Sequence, residues 1–132
     1  MEKRILDWEY IQEAVDNLVY QIHKSDLVIK NIKGLQRGGL IPAVMLSHRL
    51  GVPMLGPFDD MDSTTLVVDD ICDTGTTLAY YEKYKFPTAV IHFKHSSSST
   101  PTFYYDIAEE DIWLVYPWET EESPTIQDYL IN

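Results

Sequence analysis

The run LVVDDICDTGTTL, residues 66–78, restricts this chain more than any other stretch. It opens with Leu66, Val67 and Val68, an apolar run with the branching expected of a buried strand. The run breaks off at two adjacent carboxylates, Asp69 and Asp70. A third acid, Asp73, follows, and then Thr74, Gly75, Thr76 and Thr77. From about 77 to 81 the pattern turns helical. A strand, an acidic turn and a Thr/Gly loop opening a helix form a phosphate-binding arrangement, because successive N–H groups converge on one anion. Gly75 lets the backbone come close, and the threonine hydroxyls add donors. The Gly-x-x-x-x-Gly-Lys nucleotide loop is a different device, with a lysine and without paired acids. Vicinal carboxylates accept hydrogen bonds from hydroxyl pairs or hold a hard divalent ion. The ligand implied is a phosphorylated sugar with magnesium. The competing reading is an acidic turn that only caps a helix.

VVDDICDTGTT resembles the phosphoribosyl-pyrophosphate motif of the type I phosphoribosyltransferases: two acids after an apolar strand, a third acid, then Thr-Gly-x-Thr. The resemblance implies that Asp69 and Asp70 hold the ribose hydroxyls directly or through magnesium, with Asp70 as the metal's carboxylate. It implies that Asp73, Thr74, Gly75, Thr76 and Thr77 bind the sugar phosphate. It also makes Asp73 the candidate general base. Fold alone does not prove activity, so the rest of the chain has to supply the other half of a reaction.

A chain of 132 residues with 45% hydrophobic residues suits one domain around a single core. Its apolar runs are too short to span a bilayer, and residues 1–4 begin no signal-peptide pattern. One cysteine, Cys72, leaves no internal disulfide and fits a reducing, cytoplasmic setting. It reads as a small buried filler, with a reactive nucleophile as the weaker alternative. The net charge of -11 argues against a nucleic-acid partner, since so acidic a surface repels phosphate backbones. The same charge opposes a phosphorylated substrate, so the site must reverse the field locally with magnesium and oriented amides.

Taken in order, Asp7 can cap a helix in which Ile11, Val15, Leu18, Val19 and Ile22 recur at helical spacing, ending near His23. Residues 28–35 read as a strand ending at Gly34. Residues 40–50 are apolar nearly all round and predict a buried helix, with Pro42 tolerated in its first turn and Gly51 ending it. Residues 52–55 read as a short strand and 56–63 as a polar turn. Tyr80, Tyr81 and Tyr84 read as packing residues of the helix after the loop. Residues 88–93 predict another strand, and Ser96–Ser99 a flexible loop. Residues 102–107 read as an irregular strand, 112–115 as the last strand, and 126–131 as a final short helix. Alternating strands and helices imply an α/β fold, a mostly parallel sheet covered on both faces. Ligands collect beyond the carboxyl ends of such strands, and the loops with chemistry all lie there.

Between the strand and helix at 28–50 lies the turn Gly34-Leu35-Gln36-Arg37-Gly38-Gly39. The family resemblance gives this loop the pyrophosphate, with Arg37 carrying charge and Gly38 and Gly39 allowing close approach. It also implies a cis peptide at Gln36–Arg37. Without the family, the turn is a simple tight connection.

The C-terminal third points to the second substrate. DIWLVYPWE, residues 111–119, resembles the purine-binding end of the xanthine-guanine phosphoribosyltransferases, and RILDWEYI at 4–11 resembles their start. Carried over, Trp113 stacks on the purine, Leu114 gives a backbone contact, Glu119 sits near the C2 substituent and Lys94 reads the 6-oxo group. Stacking of this kind is worth roughly 1–3 kcal/mol per base. The resemblance implies transfer of phosphoribose to guanine, xanthine or hypoxanthine in purine salvage, a small base-binding hood built from the two ends, and a homodimer or homotetramer. One departure is plain. The family carries a long flexible lid after the residues matching 52–55, and here eight residues, 56–63, hold three aspartates, Asp59, Asp60 and Asp62. That predicts slow turnover with some hydrolysis of the sugar pyrophosphate, and leaves a non-catalytic or weakly catalytic regulatory binder as the alternative.

Overall fold

The computed structural model describes residues 2–122. Strand β1 (Glu2–Ile5) leads into helix α1 (Trp8–Lys24), followed by β2 (Asn31–Gly34), α2 (Leu40–Leu50) and β3 (Thr65–Cys72). Helix α3 (Thr76–Lys83), β4 (Thr88–Phe93), β5 (Phe103–Ile107) and β6 (Ile112–Val115) complete the order. Four strands make a parallel sheet in the order β2-β3-β4-β5, and β1 pairs in parallel with β6 in a separate two-stranded sheet.

Local rules explain the elements. The Asp7 carboxylate accepts from the Tyr10 N–H at 2.8 Å and caps α1, whose Ile11, Ala14, Val15, Leu18 and Ile22 are buried. Helix α2 ends where the Gly51 N–H bonds to the Ser47 carbonyl at 2.9 Å. Strand β4 is buried along its whole length, as a strand covered on both faces must be. Helices α1 and α2 pack together on one face of the sheet, where Leu18, Ile32, Leu46, Leu66, Val68 and Ile91 share a core. Helix α3 covers the other face, over Val67, Leu78 and Val90.

The structure departs from the sequence reading in several places. Strand β3 does not stop at Val68. It runs through both acids to Cys72, with Asp69 beside Val90 and Ile71 beside His92 of β4. Apolar content marks where a strand is buried, and ladder hydrogen bonds decide where it ends. Strand β2 is shorter than expected, and Val28 lies exposed. The expected strand at 52–55 is reduced to one bridge between Met54 and Ile32. Helix α2 buries Pro42, Ala43 and Leu46 while leaving Val44 exposed, so it has one wet side. Tyr80 and Tyr84 stand exposed, packed edge-on at 5.5 Å, and Tyr81 leans on Phe86. Strand β1 was not read from the sequence, because its four residues are all exposed and carry no apolar signal. The expected helix at 126–131 lies outside the described residues. Among the described residues, no helix is long and apolar enough to cross a membrane.

Candidate active site

All four strands of the main sheet point the same way, so their carboxyl ends share one edge. Gly34 of β2, Cys72 of β3 and Phe93 of β4 lead there into the glycine-rich turn, the Thr/Gly loop and Lys94. The first two are locked together. The Leu35 N–H bonds to the Val68 carbonyl at 2.9 Å, and Gly38 lies directly against the Asp70 carboxylate, where a Cβ would overlap its oxygens. The Gln36–Arg37 peptide is cis.

Asp69 is buried and Asp70 half-buried, side by side in the strand. The Asp69 Oδ1 accepts the Asp70 N–H at 2.9 Å, and the Asp70 Oδ1 accepts the Ile71 N–H at 2.8 Å. Burial pushes both carboxyls above the usual carboxylate range, and for Asp69 the neighbouring Asp70 charge pushes further. A buried acid pair of this kind favours a proton or a cation. Among the described residues no three His, Cys, Asp or Glu side chains converge into a metal cage. Magnesium, however, is ordinarily held by one or two carboxylates together with substrate phosphates and water, and two adjacent hard oxygen donors fit that pattern.

Beyond the pair, the chain turns at Gly75, with φ +88, to start α3. No side chain caps α3 there, and that is the position an anion fills at a phosphate-binding helix. The Thr74 hydroxyl accepts the Thr76 N–H at 3.3 Å and shapes the loop. The serine run was expected to be flexible, and here it is built against this loop. The Ser98 N–H and hydroxyl both donate to the Thr74 carbonyl, at 2.8 and 3.0 Å. The Ser97 hydroxyl meets Cys72 Sγ at 3.0 Å, and Ser99 is tied to Glu82. Ser97, Ser98 and Ser99 occupy the space into which a Cβ on Gly75 would project. The sequence signal was the smallness of the run: only small residues can press so close to a glycine. Cys72 is buried, and burial pushes its thiol up, so it is the inert filler that the sequence suggested.

Lys94 Nζ and Asp73 Oδ1 form an ion pair at 3.1 Å. The lysine side chain is 15% exposed and the aspartate 61%, so the pair sits at the mouth of the site. Glu119 lies near enough to Asp70 and Arg37 to feel both charges, although burial is what mainly raises its carboxyl. Its Oε1 accepts the Tyr116 N–H at 2.9 Å, closing the turn after β6. The Tyr116 hydroxyl reaches the Asp70 carbonyl oxygen at 3.3 Å. The structure therefore brings the glycine-rich turn, the acid pair, the Thr/Gly loop, Lys94 and Glu119 into one neighbourhood. Trp113 stands on β6 opposite Lys3 of β1 and is 42% exposed. Leu114 packs partly on the main core. Tyr116 was not picked out from the sequence, because a tyrosine beside Pro-Trp-Glu looks like any other.

No family model matches the chain. A purine phosphoribosyltransferase from Pyrococcus horikoshii is similar in both respects. It is 31% identical, with a TM-score of 0.74 over 96% of this chain and 99% of that one. The chain belongs to the type I phosphoribosyltransferases. It is an enzyme of the pentosyl-transfer kind, a purine phosphoribosyltransferase. A xanthine-guanine phosphoribosyltransferase from Idiomarina loihiensis is 28% identical over 86% of this chain and 85% of its own length. The xanthine-guanine-hypoxanthine phosphoribosyltransferase of Helicobacter pylori shares the fold at a TM-score of 0.77, with 21% identity over 89% of this chain and 94% of its own.

The strand-end acids of this phosphoribosyltransferase make a stability prediction. A carboxyl raised above its unfolded value binds a proton in the folded state before the unfolded one does. Stability then falls as pH rises from the unfolded value of about 3.9 through the folded one. Asp69→Asn keeps the acceptor for the Asp70 N–H and removes the buried charge. It should raise the melting temperature at pH 7, by about 3–5 °C for each kcal/mol relieved, with a smaller gain near pH 4. Thermal melts at the two pH values check this.

Proposed function

We propose that the chain, working as one domain, transfers the 5-phosphoribosyl group of 5-phosphoribosyl 1-pyrophosphate to N9 of a 6-oxopurine. The products are the nucleoside monophosphate and pyrophosphate. The observation that carries this reading is the Lys94–Asp73 pair at 3.1 Å, at the mouth of a sugar-phosphate loop. O6 and N7 lie on one edge of a 6-oxopurine. A cation and a carboxylate held together can address both, Lys94 donating to O6 and Asp73 taking the proton from N7. The purine names of the similar proteins support the same class of base.

In the proposed reaction the C1′–oxygen bond to pyrophosphate breaks and its electron pair leaves with pyrophosphate. The N9 lone pair forms the new bond to C1′, and the N7 proton passes to Asp73. Positive charge gathers on the ribose in between, so groups fixed before the reaction do most of the work. Asp69 and Asp70 orient the ribose hydroxyls. Thr74, Gly75, Thr76 and Thr77 hold the 5-phosphate at the start of α3. Arg37 and Gly38 receive the pyrophosphate. Trp113 lies against the purine face, with Leu114 and Glu119 near its C2 side. Magnesium, when bound, would offset the pyrophosphate charge, with Asp70 and its neighbour Asp69 as its carboxylates.

The 56–63 segment favours slow turnover. Its acids shape the segment itself: Asp59 Oδ2 accepts the Gly56 N–H at 2.6 Å, and Asp62 Oδ1 accepts the Thr64 N–H at 2.8 Å. The Thr64 hydroxyl donates to the same oxygen at 2.5 Å, and it and the Thr64 N–H hold the Asp62 carboxyl below the usual range. A turn tied up in this way is a short stop and not a closing lid, and a lid is what excludes water from such chemistry.

The decisive experiment incubates the protein with 5-phosphoribosyl 1-pyrophosphate, magnesium and each purine in turn, and measures nucleotide, pyrophosphate and free ribose phosphate. Guanine, xanthine or hypoxanthine should give nucleotide, with some free ribose phosphate from water. Adenine should react far more slowly, because its 6-amino group presents a donor to Lys94 and leaves buried groups unpaired. Adenine used as well as guanine would overturn the base assignment.

Asp73→Asn should lower kcat by about 10²-fold or more while binding of the sugar pyrophosphate stays measurable. Steady-state kinetics beside a binding isotherm separates the two, and unchanged turnover removes the general-base role.

A further inference from the structure

His92 is fully buried, one residue before the carboxyl end of β4, and the chemistry above does not use it. Its ring is bonded on both sides. Nε2 lies 2.8 Å from the Tyr10 hydroxyl and Nδ1 lies 2.9 Å from the Tyr116 hydroxyl. Beyond them, the Tyr10 hydroxyl is 3.0 Å from Asp106 Oδ2, and the Tyr116 hydroxyl is 3.3 Å from the Asp70 carbonyl oxygen. Five groups are joined by four links, running from β5 to the acid pair of β3.

The protons in this chain can be counted. Burial lowers His92 to about 4, so at neutral pH its ring carries one N–H. A tyrosine hydroxyl carries its proton at neutral pH, so each of the two brings one. The Asp70 carbonyl has no proton to give, and a carboxylate is an acceptor only. Three protons therefore serve four links. The link left without one cannot be an inner link, because two buried lone pairs would then face each other at 2.8 or 2.9 Å. It has to be an end link, at Asp106 or at Asp70. A charged acceptor holds a hydrogen bond more strongly than a neutral carbonyl. The Asp106 end is also the shorter, 3.0 Å against 3.3 Å.

We infer that Asp106, Tyr10, His92 and Tyr116 form a proton-ordered chain that positions the Tyr116 hydroxyl beside the Asp70 peptide, with Asp106 deciding the direction in which the chain donates. At rest Tyr10 donates to Asp106, His92 Nε2–H donates to Tyr10, and Tyr116 donates to His92 Nδ1. Without the Asp106 carboxylate, the order reverses with the same three protons. Tyr10 then donates to Nε2, Nδ1–H donates to Tyr116, and Tyr116 donates to the Asp70 carbonyl. His92 and Tyr116 are positioning residues in this scheme. Tyr116 also closes the Glu119 turn, so the chain joins the two halves of the site. Its effect on substrate rests on the function proposed above, and its proton order does not.

The test is the tautomer of His92, read from ring ¹⁵N shifts in the whole protein, with the signal assigned by its loss in His92→Gln. The expected result is Nε2–H in the unaltered chain, Nε2–H again in Asp106→Asn, whose amide oxygen still accepts, and Nδ1–H in Asp106→Ala. An Nδ1–H ring in the unaltered protein, or one tautomer in all three, overturns the proposal. If Asp106→Ala fails to fold, the unaltered protein and Asp106→Asn still decide the resting order.

A second arm measures binding of 5-phosphoribosyl 1-pyrophosphate with magnesium by calorimetry. Asp106→Ala should shift Kd about three- to tenfold, and less than about twofold when Tyr116→Phe is also present. Equal shifts in the two backgrounds would make Asp106 a mere stability residue and overturn the positioning role. If no protein binds the sugar pyrophosphate, the function proposed above fails, and the tautomer result still judges the chain.

Discussion

Everything in this molecule is arranged about two carboxylates held, against their preference, near the end of a central parallel strand. Burial raises both of them, and each is fixed by a main-chain N–H of the same strand. A surface acid would need none of this support. Two acids kept in low dielectric carry a desolvation penalty that a proton, a cation or a ring of hydroxyl donors can offset. The rest of the fold supplies the rigidity that makes the penalty tolerable: Val67, Val68 and Val90 beside the pair are buried, and helices cover both faces.

Three neighbours close on that strand end, through contacts that tolerate no extra atom, through hydrogen bonds or, for Tyr116, through a hydroxyl 3.3 Å from the Asp70 carbonyl oxygen. Gly38 abuts the Asp70 carboxylate from the β2 side. The serine loop after β4 seats itself against Gly75 and the Thr74 carbonyl. Tyr116 comes in from the turn after β6. Each of the three belongs to a loop that also carries a candidate ligand: Arg37 in the first, Lys94 just before the second, Glu119 in the third. In the proposed reaction the fit between loops would set sugar, phosphate and base groups relative to one another, from the strand ends.

How much of this was legible in the sequence follows from the range of the forces involved. The motif at 66–78, the capped helix α1 and the bounds of α2 and β4 are local, carried by periodicity and by residues such as Asp7 and Gly51. They read directly. The length of β3 did not, because its last turns of ladder pairing come from Val90, His92 and Phe93, some twenty residues away. The order of the serine loop did not, because a run of serines has no apolar signature and its partners are main-chain atoms of another loop. Strand β1 is wholly exposed and owes its existence to β6 at the far end of the described chain. His92 was hidden for the opposite reason: inside TAVIHF it looks like one more strand residue, and only the tertiary fold delivers a tyrosine to each ring nitrogen.

The acidity of the chain as a whole sharpens the point about the site. With a net charge of -11, long-range forces oppose any phosphorylated substrate. Screening at physiological salt limits that opposition to within about 8 Å of each exposed charge. Inside the site the balance is local. Asp73 is matched by Lys94, and the Glu119 charge lies within reach of the Arg37 guanidinium. Asp59 and Asp62 each give an oxygen to the main chain of their own turn. Two cations, Lys94 and Arg37, thus stand among the acids Asp69, Asp70, Asp73 and Glu119, and the edge is short of positive charge. In the proposed reaction magnesium would fill that shortage, and the acid pair, poorly placed for stability, would serve the phosphorylated sugar.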